Sequence, residues 1–346
     1  MGALKQMALA LLAPIIMTSA AQAQQPEAAG YHLVRQISVP GKGGWDYLAY
    51  DPGTHHLFVS HGTEVDVVNP DSGTVVGRIP DTPGVHGIAF APELNRGYVS
   101  DGRDTTVTVF DLHSLAVLQR VHVTGQNPDA IMYEPVTHRV FTFNGRSSNA
   151  TALDARTGAV LGTIALGGKP EFAVADGHGG VFVNIEDKGQ VVAFDAGALS
   201  ERARWSLPGC EEPSGLAYDA AHARLFSVCG NGRMVILDSR SGKPVASVPI
   251  GDGVDAARFD PATGLVFASN GEGTLTVIHE ETPDSFRVKE TVPTQPGART
   301  MELDPVTHRV FLSVASFGPA PAATAQQPRP RRTLVPGSFR VLVLEP

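Results

Sequence analysis

Apolar and polar positions along this chain alternate in short runs, and Gly, Pro, Asn or Asp interrupts the alternation every few residues. Alternation with period two reads as half-buried strands, and the interruptions read as turns. The runs favour Val, Ile, Thr, Phe and Tyr, which suit a pleated surface. One unit shows the pattern: GVHGIAFAP, then GYVSD, then TVTVFD, then VLQRVHV, which predicts four strands, a to d.

The unit recurs. An apolar run ending in an acidic residue, a turn and an aromatic-rich run appears as LAYDPGTHHLFVSHG, IAFAPELNRGYVSDG, IMYEPVTHRVFTFNG, AVADGHGGVFVNIED, LAYDAAHARLFSVCG, ARFDPATGLVFASNG and MELDPVTHRVFLSVA. The anchors are Asp51, Ala91, Glu134, Asp176, Asp219, Asp260 and Asp304, spaced by 40, 43, 42, 43, 41 and 44 residues. That period fits a four-stranded propeller blade, and a lone blade cannot bury both faces. The expected fold is therefore all-β: a single seven-bladed β-propeller over residues 24–346. In the last unit SFRVLVLE supplies strand c and the chain ends without a strand d. Residues Tyr31 to Val39 alternate suitably to replace it, which predicts a ring closed by the N-terminal strand with no exposed edge. An insert at 318–337, rich in Pro, Ala and Gln with Arg329, Arg331 and Arg332, is expected to be mobile: either a plain loop or a basic flap over an acidic opening.

Composition narrows the setting. The net charge of −8 argues against nucleic acid, which needs a basic patch to replace phosphate counterions. Lys5, an apolar run from Met7 to Met17 and the site Ala21-Gln22-Ala23 read as a signal peptide over 1–23. The run is too short to span a bilayer. The expected address is periplasmic or secreted, and the expected form a monomer. Export permits a disulfide, and Cys210 and Cys229 are the two cysteines of the chain. Both fall on one face of the predicted ring, so a bridge between them is expected, ahead of free thiols or a metal-ligating pair.

Function must then sit on loops at one end of the ring. His55, His138 and His308 recur in the a–b turn, which marks a structural task on the far face. The positions just before strand a are different. The segments GWDY, GVHG, NPDA, KPEF, EPSG, GVDA and ARTM place Asp46, His86, Asp129, Glu171, Ser214, Asp255 and Thr300 around the axial channel mouth. Strand b ends form a second tier, with His61, Asp101, Asn144, Cys229 and Asn270, and Glu186 with Asp187 in the fourth unit. Trp45, Arg146, Glu211, Glu212 and Arg299 lie close by in sequence. Carboxylates with an imidazole suit a divalent metal ion, and crowded carboxylates raise one another's pKa. The candidate metal ligands are His86, Asp129, Glu171 and Asp255. His86 is also the candidate base, with Arg299 holding a substrate anion. Trp45, Asp46, His61, Asp101, Asn144, Arg146, Glu186, Glu212 and Asn270 are candidate ligand contacts. The competing reading is that these polar residues only hydrogen-bond neighbouring blades and channel water. No G-x-S-x-G, H-E-x-x-H, P-loop or haem-attachment motif is present.

GYVSD, VFTFN and VFASN, each followed by Gly and a T-V-x-V-type strand, are variants of the YVTN repeat. With the expected signal peptide, the chain from about residue 30 onward resembles the YncE-like family of exported bacterial propellers. The resemblance implies the seven-bladed fold. It implies function only broadly, since related propellers include binding proteins, surface-layer modules, lactonases and lyases, and some YncE-like proteins bind DNA. Lactonase and streptogramin-lyase propellers hold a divalent metal on axial ligands, a part that Asp46, His86, Asp129, Glu171 and Asp255 would play here. Two expectations for function follow. One is an exported binding protein that holds a small molecule or a protein partner at the acidic mouth. The other is a metal-dependent lyase or lactone hydrolase on the same face.

Overall fold

One aromatic near the start of each strand b organises the ring. Phe58, Tyr98, Phe141, Phe182, Phe226, Phe267 and Phe311 are all buried. Each belongs to a different apolar cluster, and each cluster draws on two adjacent blades. There are thus seven blade interfaces, with one such aromatic in each. Burying a ring of this size contributes more than any single polar contact in the fold.

The computed structural model describes residues 30–319 and 332–346. Among them are 28 strands and two short 3-10 helices. The strands form seven four-stranded sheets, each blade ordered a-b-c-d from axis to rim. Blades 1 to 6 occupy 45–79, 85–122, 128–165, 170–206, 213–249 and 254–293. Strands a of neighbouring blades touch all the way round, the seventh (Thr300–Leu303) meeting the first (Trp45–Asp51). Blade 7 takes its outer strand, His32–Ser38, from the N-terminal part of the chain. That strand runs antiparallel to Arg340–Glu345, from His32 opposite Glu345 to Ser38 opposite Arg340. Ile37 and Val39 enter the core between blades 7 and 1, and Tyr31 packs edge-on against Phe267 at 5.1 Å.

The turns follow their residues. Asn69, Asp154 and Asp238 open the c–d turns by accepting two backbone N–H groups each, and Gly73, Gly158 and Gly242 supply the positive φ. At the far end, Asp51 and Glu134 cap the a–b turn in the same manner, while His55, His138 and His308 adopt the left-handed conformation. Cys210 and Cys229 are joined, with Cα atoms 5.3 Å apart, stapling blade 4 to blade 5 on the mouth side. The expected signal peptide lies outside the described residues. So does the middle of the insert, whose two ends meet where Phe317 pairs with Leu334. No helix among the described residues is long and apolar enough to cross a membrane.

Ile37→Ala should cost about 2–5 kcal/mol in chemical denaturation. Deleting residues 31–39 should lower the melting temperature of the whole ring in a single transition; an unchanged melting temperature would contradict closure by this strand. Intact mass should be two hydrogens below the reduced chain, and removing the Cys210–Cys229 bridge should cost roughly 3 kcal/mol, as its loop length suggests.

Candidate functional site

Strand a carries a register shift near its start in blades 1 to 6. In blade 1, Trp45 pairs with His61 and Leu48 with Val59, so Asp46 and Tyr47 face Ser60 alone. The same shift falls at His86, Asp129, Glu171, Ser214 and Asp255. Such a bulge leaves a residue out of the ladder and re-aims its side chain. The result is one cavity of about 210 Å³ on the axis, lined by Asp46, Asp129, Glu171, Ser214, Asp255 and Thr300. Lys169, Glu186, Arg258 and Arg299 complete its polar wall.

The bulges are braced from strand b. Ser60 Oγ accepts from Asp46 N at 3.0 Å and donates to Tyr47 O. Ser100 accepts from Gly87 N at 2.8 Å and donates to Asp129 O of the next blade. Asn184 donates to Ser214 O at 2.9 Å and to Gly215 O, and Ser269 donates to Arg299 O. These braces escaped the sequence reading, although the signal was there: Ser or Asn precedes the last residue of strand b in FVSH, YVSD, FVNI, FASN and FLSV.

Charge in the cavity is unbalanced. His86 Nδ1 lies 2.5 Å from Asp46 and 3.7 Å from Asp129. A side chain at Gly102 would collide with that imidazole, so the close approach requires glycine. Burial opposes the charged imidazole, but the Asp46 hydrogen bond and the Asp129 charge outweigh it and push its pKa up to about 9. Burial and the nearby Asp46 charge raise Asp129, against the opposing pull of His86. Burial and Asp129 raise Glu171, against Lys169. Burial brings Asp255 up to about 6 although Arg299 stands 3.4 Å away. Lys169 pairs with Glu171 at 2.6 Å and also with Glu186. It occupies the first position of KPEF, two residues before the acidic position that the repeat singled out.

Aromatic rings line part of the cavity. Tyr47 stacks on Phe172 at 5.9 Å, and the Arg258 guanidinium lies 4.7 Å over the same ring while pairing with Glu302 at 2.7 Å. Below it a second, more apolar hollow of about 560 Å³ opens toward the other end of the axis, sharing only Phe172 and Arg258 with the first.

The structure thus gathers Asp46, Asp129, Glu171, Glu186, Asp255 and Arg299 into one cavity, with His86 against Asp46. It does not bring the strand-b tier there. His61 is buried between Asp66, at 2.9 Å, and the Phe339 ring. Asp101 accepts from Thr106 and Thr108 and is pushed by burial to about 7. Asn144 and Asn270 hydrogen-bond Thr151 and Thr276 inside their own blades. Trp45 stacks on Phe339, while Arg146 and Glu212 are exposed outside the cavity. Three donor atoms, one each from Asp46, His86 and Asp129, lie within 4.8 Å of one another. Glu171 and Asp255, expected in the metal set, are instead engaged by Lys169 and Arg299.

No protein-family model matches the chain, and no curated protein sequence matches it. Solved structures do. One similar chain comes from the crystal structure of a mitotic checkpoint complex, with TM-score 0.74, 14% identity, and 98% of this chain and 99% of that one covered. Another is the structure of U3-55K, with TM-score 0.72, 11% identity, and 92% and 99% covered. At such identities the likeness carries the seven-bladed fold alone.

The protonation pattern generates a stability profile. Protonated Asp255 contributes in full below its ordinary pKa, and that contribution is lost as pH rises through about 6. Protonated His86 contributes in full below its ordinary value and loses it as pH rises through about 9. The melting temperature should therefore fall from mildly acidic to alkaline pH. In calorimetry His86→Ala should flatten the upper part of the fall and Asp255→Asn the lower. A melting temperature that climbs across this range would refute the assignment.

Proposed function

We propose that this propeller is an exported binding protein that holds a small ligand with a cationic or hydrogen-bond-donating end in its axial cavity. The observation that carries this reading is the convergence of Asp46, Asp129, Glu171, Glu186 and Asp255, from four different blades, on one small cavity. Holding carboxylates together raises their pKa and costs stability, and the turns and strands do not require it. A positively charged guest would relieve that repulsion, and Lys169 and Arg299 at the wall would orient its acceptor groups. The cavity suits a small molecule better than a protein surface, which would reach only the rim. The cysteine bridge and the expected signal peptide support an exported location. The YVTN-type repeats support kinship with the YncE-like propellers.

A second reading rests on the Asp46, His86 and Asp129 donors. Their mutual distances and mixed oxygen and nitrogen chemistry fit a divalent cation held in place of the Asp46–His86 hydrogen bond. Such an ion would act as a Lewis acid toward a lactone or ester carbonyl. In that case Arg299 would hold a substrate anion.

Calorimetric titration separates the two. With tetramethylammonium as a permanently charged probe, affinity should rise from acidic to neutral pH as the carboxylates ionise. Glu171→Gln and Asp255→Asn should each weaken it about 10-fold, while His86→Ala should not. On the second reading, His86→Ala should abolish divalent-ion binding in the axial cavity, read as one fewer bound ion per chain, and leave the circular dichroism spectrum unchanged. Unchanged binding of every probe in all three variants would move the ligand off the axis.

A further inference from the structure

The turn between strands a and b of blade 5 departs from its repeat. In blades 1, 3, 6 and 7 a threonine three residues after the acidic anchor donates its hydroxyl back to that anchor: Thr54, Thr137, Thr263 and Thr307. Blade 5 has His222 there, and its Nδ1 lies 2.7 Å from Asp219. A second departure meets the first. The residue following strand c is the buried Leu112, Ala155 and Ala196 in blades 2, 3 and 4. In blade 6 strand c runs on to Thr282, and the equivalent position, next after His279 opposite Leu265, is Glu280, whose side chain is only 3% exposed. Glu280 Oε1 reaches the same His222 Nδ1 at 3.0 Å. Its other oxygen, Oε2, is buried without a hydrogen-bond partner.

Two buried carboxylates therefore converge on one ring nitrogen across the junction of blades 5 and 6, at the end of the ring opposite the acidic cavity. A cap needs one donor, and the other blades meet that need with threonine. A second buried carboxylate adds charge, and an unmet lone pair costs free energy. The neighbouring cation does not answer it, because Arg224 is held by Asp238 at 3.0 Å and Asp284 at 2.9 Å. His222 is 47% exposed on its side chain, so the cluster is open to solvent at one point.

We propose that Asp219, His222 and Glu280 form a site for one divalent cation of the zinc class, with solvent at the fourth position. One donor atom from each lies within 4.8 Å of the others. Metal bonds of about 2.0–2.2 Å meeting near the tetrahedral angle place donors roughly 3.3 Å apart. The observed 2.7 and 3.0 Å need to open by about 0.6 and 0.3 Å. Asp219 already accepts from the backbone N–H groups of Ala221 and His222, which fixes its carboxylate as a supporting shell would. Glu280 Oε2 would gain a partner in the ion or its water.

Zinc chloride titrated into the full chain, made without a histidine tag, tests this by equilibrium dialysis and thermal melting. His222→Thr and Glu280→Leu restore residues that other blades carry, so both should fold. Each should weaken zinc binding at this site by at least about 100-fold and remove the zinc-dependent rise in melting temperature. His86→Ala should leave that rise in place. Zinc binding that survives both blade-5 and blade-6 variants but disappears in His86→Ala would overturn the site and assign the ion to the axis. Wild-type binding no tighter than that of His222→Thr would reduce His222 to a substitute for the capping threonine.

Discussion

A blade of four strands has two apolar faces and no means to cover both, and every feature of this molecule follows from how that is solved. The seven aromatics of strand b fill the seven gaps between blades. Their size sets how closely the blades approach, and hence how near to the axis each strand a begins. With the N-terminal strand paired to the last strand of the chain, blade 7 is four-stranded like the other six, and the strand Arg340–Glu345 is not left as an edge. The ring is then rigid enough to hold like charges together at its centre.

That rigidity is what makes the cavity chemically unusual. Carboxylates on a pliable loop would swing apart into water. Here each sits at a bulge whose backbone is fixed, in several blades by a serine or asparagine of a neighbouring strand. Burial and mutual repulsion must then be met by protons, by Lys169 and Arg299, or by a guest. The same logic applies on a smaller scale at the blade 5 and 6 junction, where a repeat position normally filled by an apolar residue carries Glu280.

Much of this was legible in the chain. The repeat spacing exposes the blade count, and the missing final strand exposes the closure, because both are matters of local alternation and arithmetic. The axial position of Asp46, His86, Asp129, Glu171 and Asp255 could be read because equivalent repeat positions must share a place in the ring. The second tier reads differently in three dimensions. His61, Asp101, Asn144 and Asn270 end strand b at equivalent points, but their side chains turn into their own blades and hydrogen-bond strand c. Repetition gives the place of a Cα, whereas the direction of a side chain depends on the pleat and on which neighbour offers a partner. Lys169 was overlooked for a related reason: its reach, and not its position in the repeat, brings its ammonium to Glu171 and Glu186.

The stacked Tyr47 and Phe172, with Arg258 over the Phe172 ring and tied to Glu302, line the axial cavity, and Phe172 and Arg258 also line the hollow beyond it. The partition between the two spaces is thus made of side chains and not of backbone. A change at Phe172 or Arg258 would therefore be felt in both spaces at once, and shortening either would merge an acidic chamber with an apolar one.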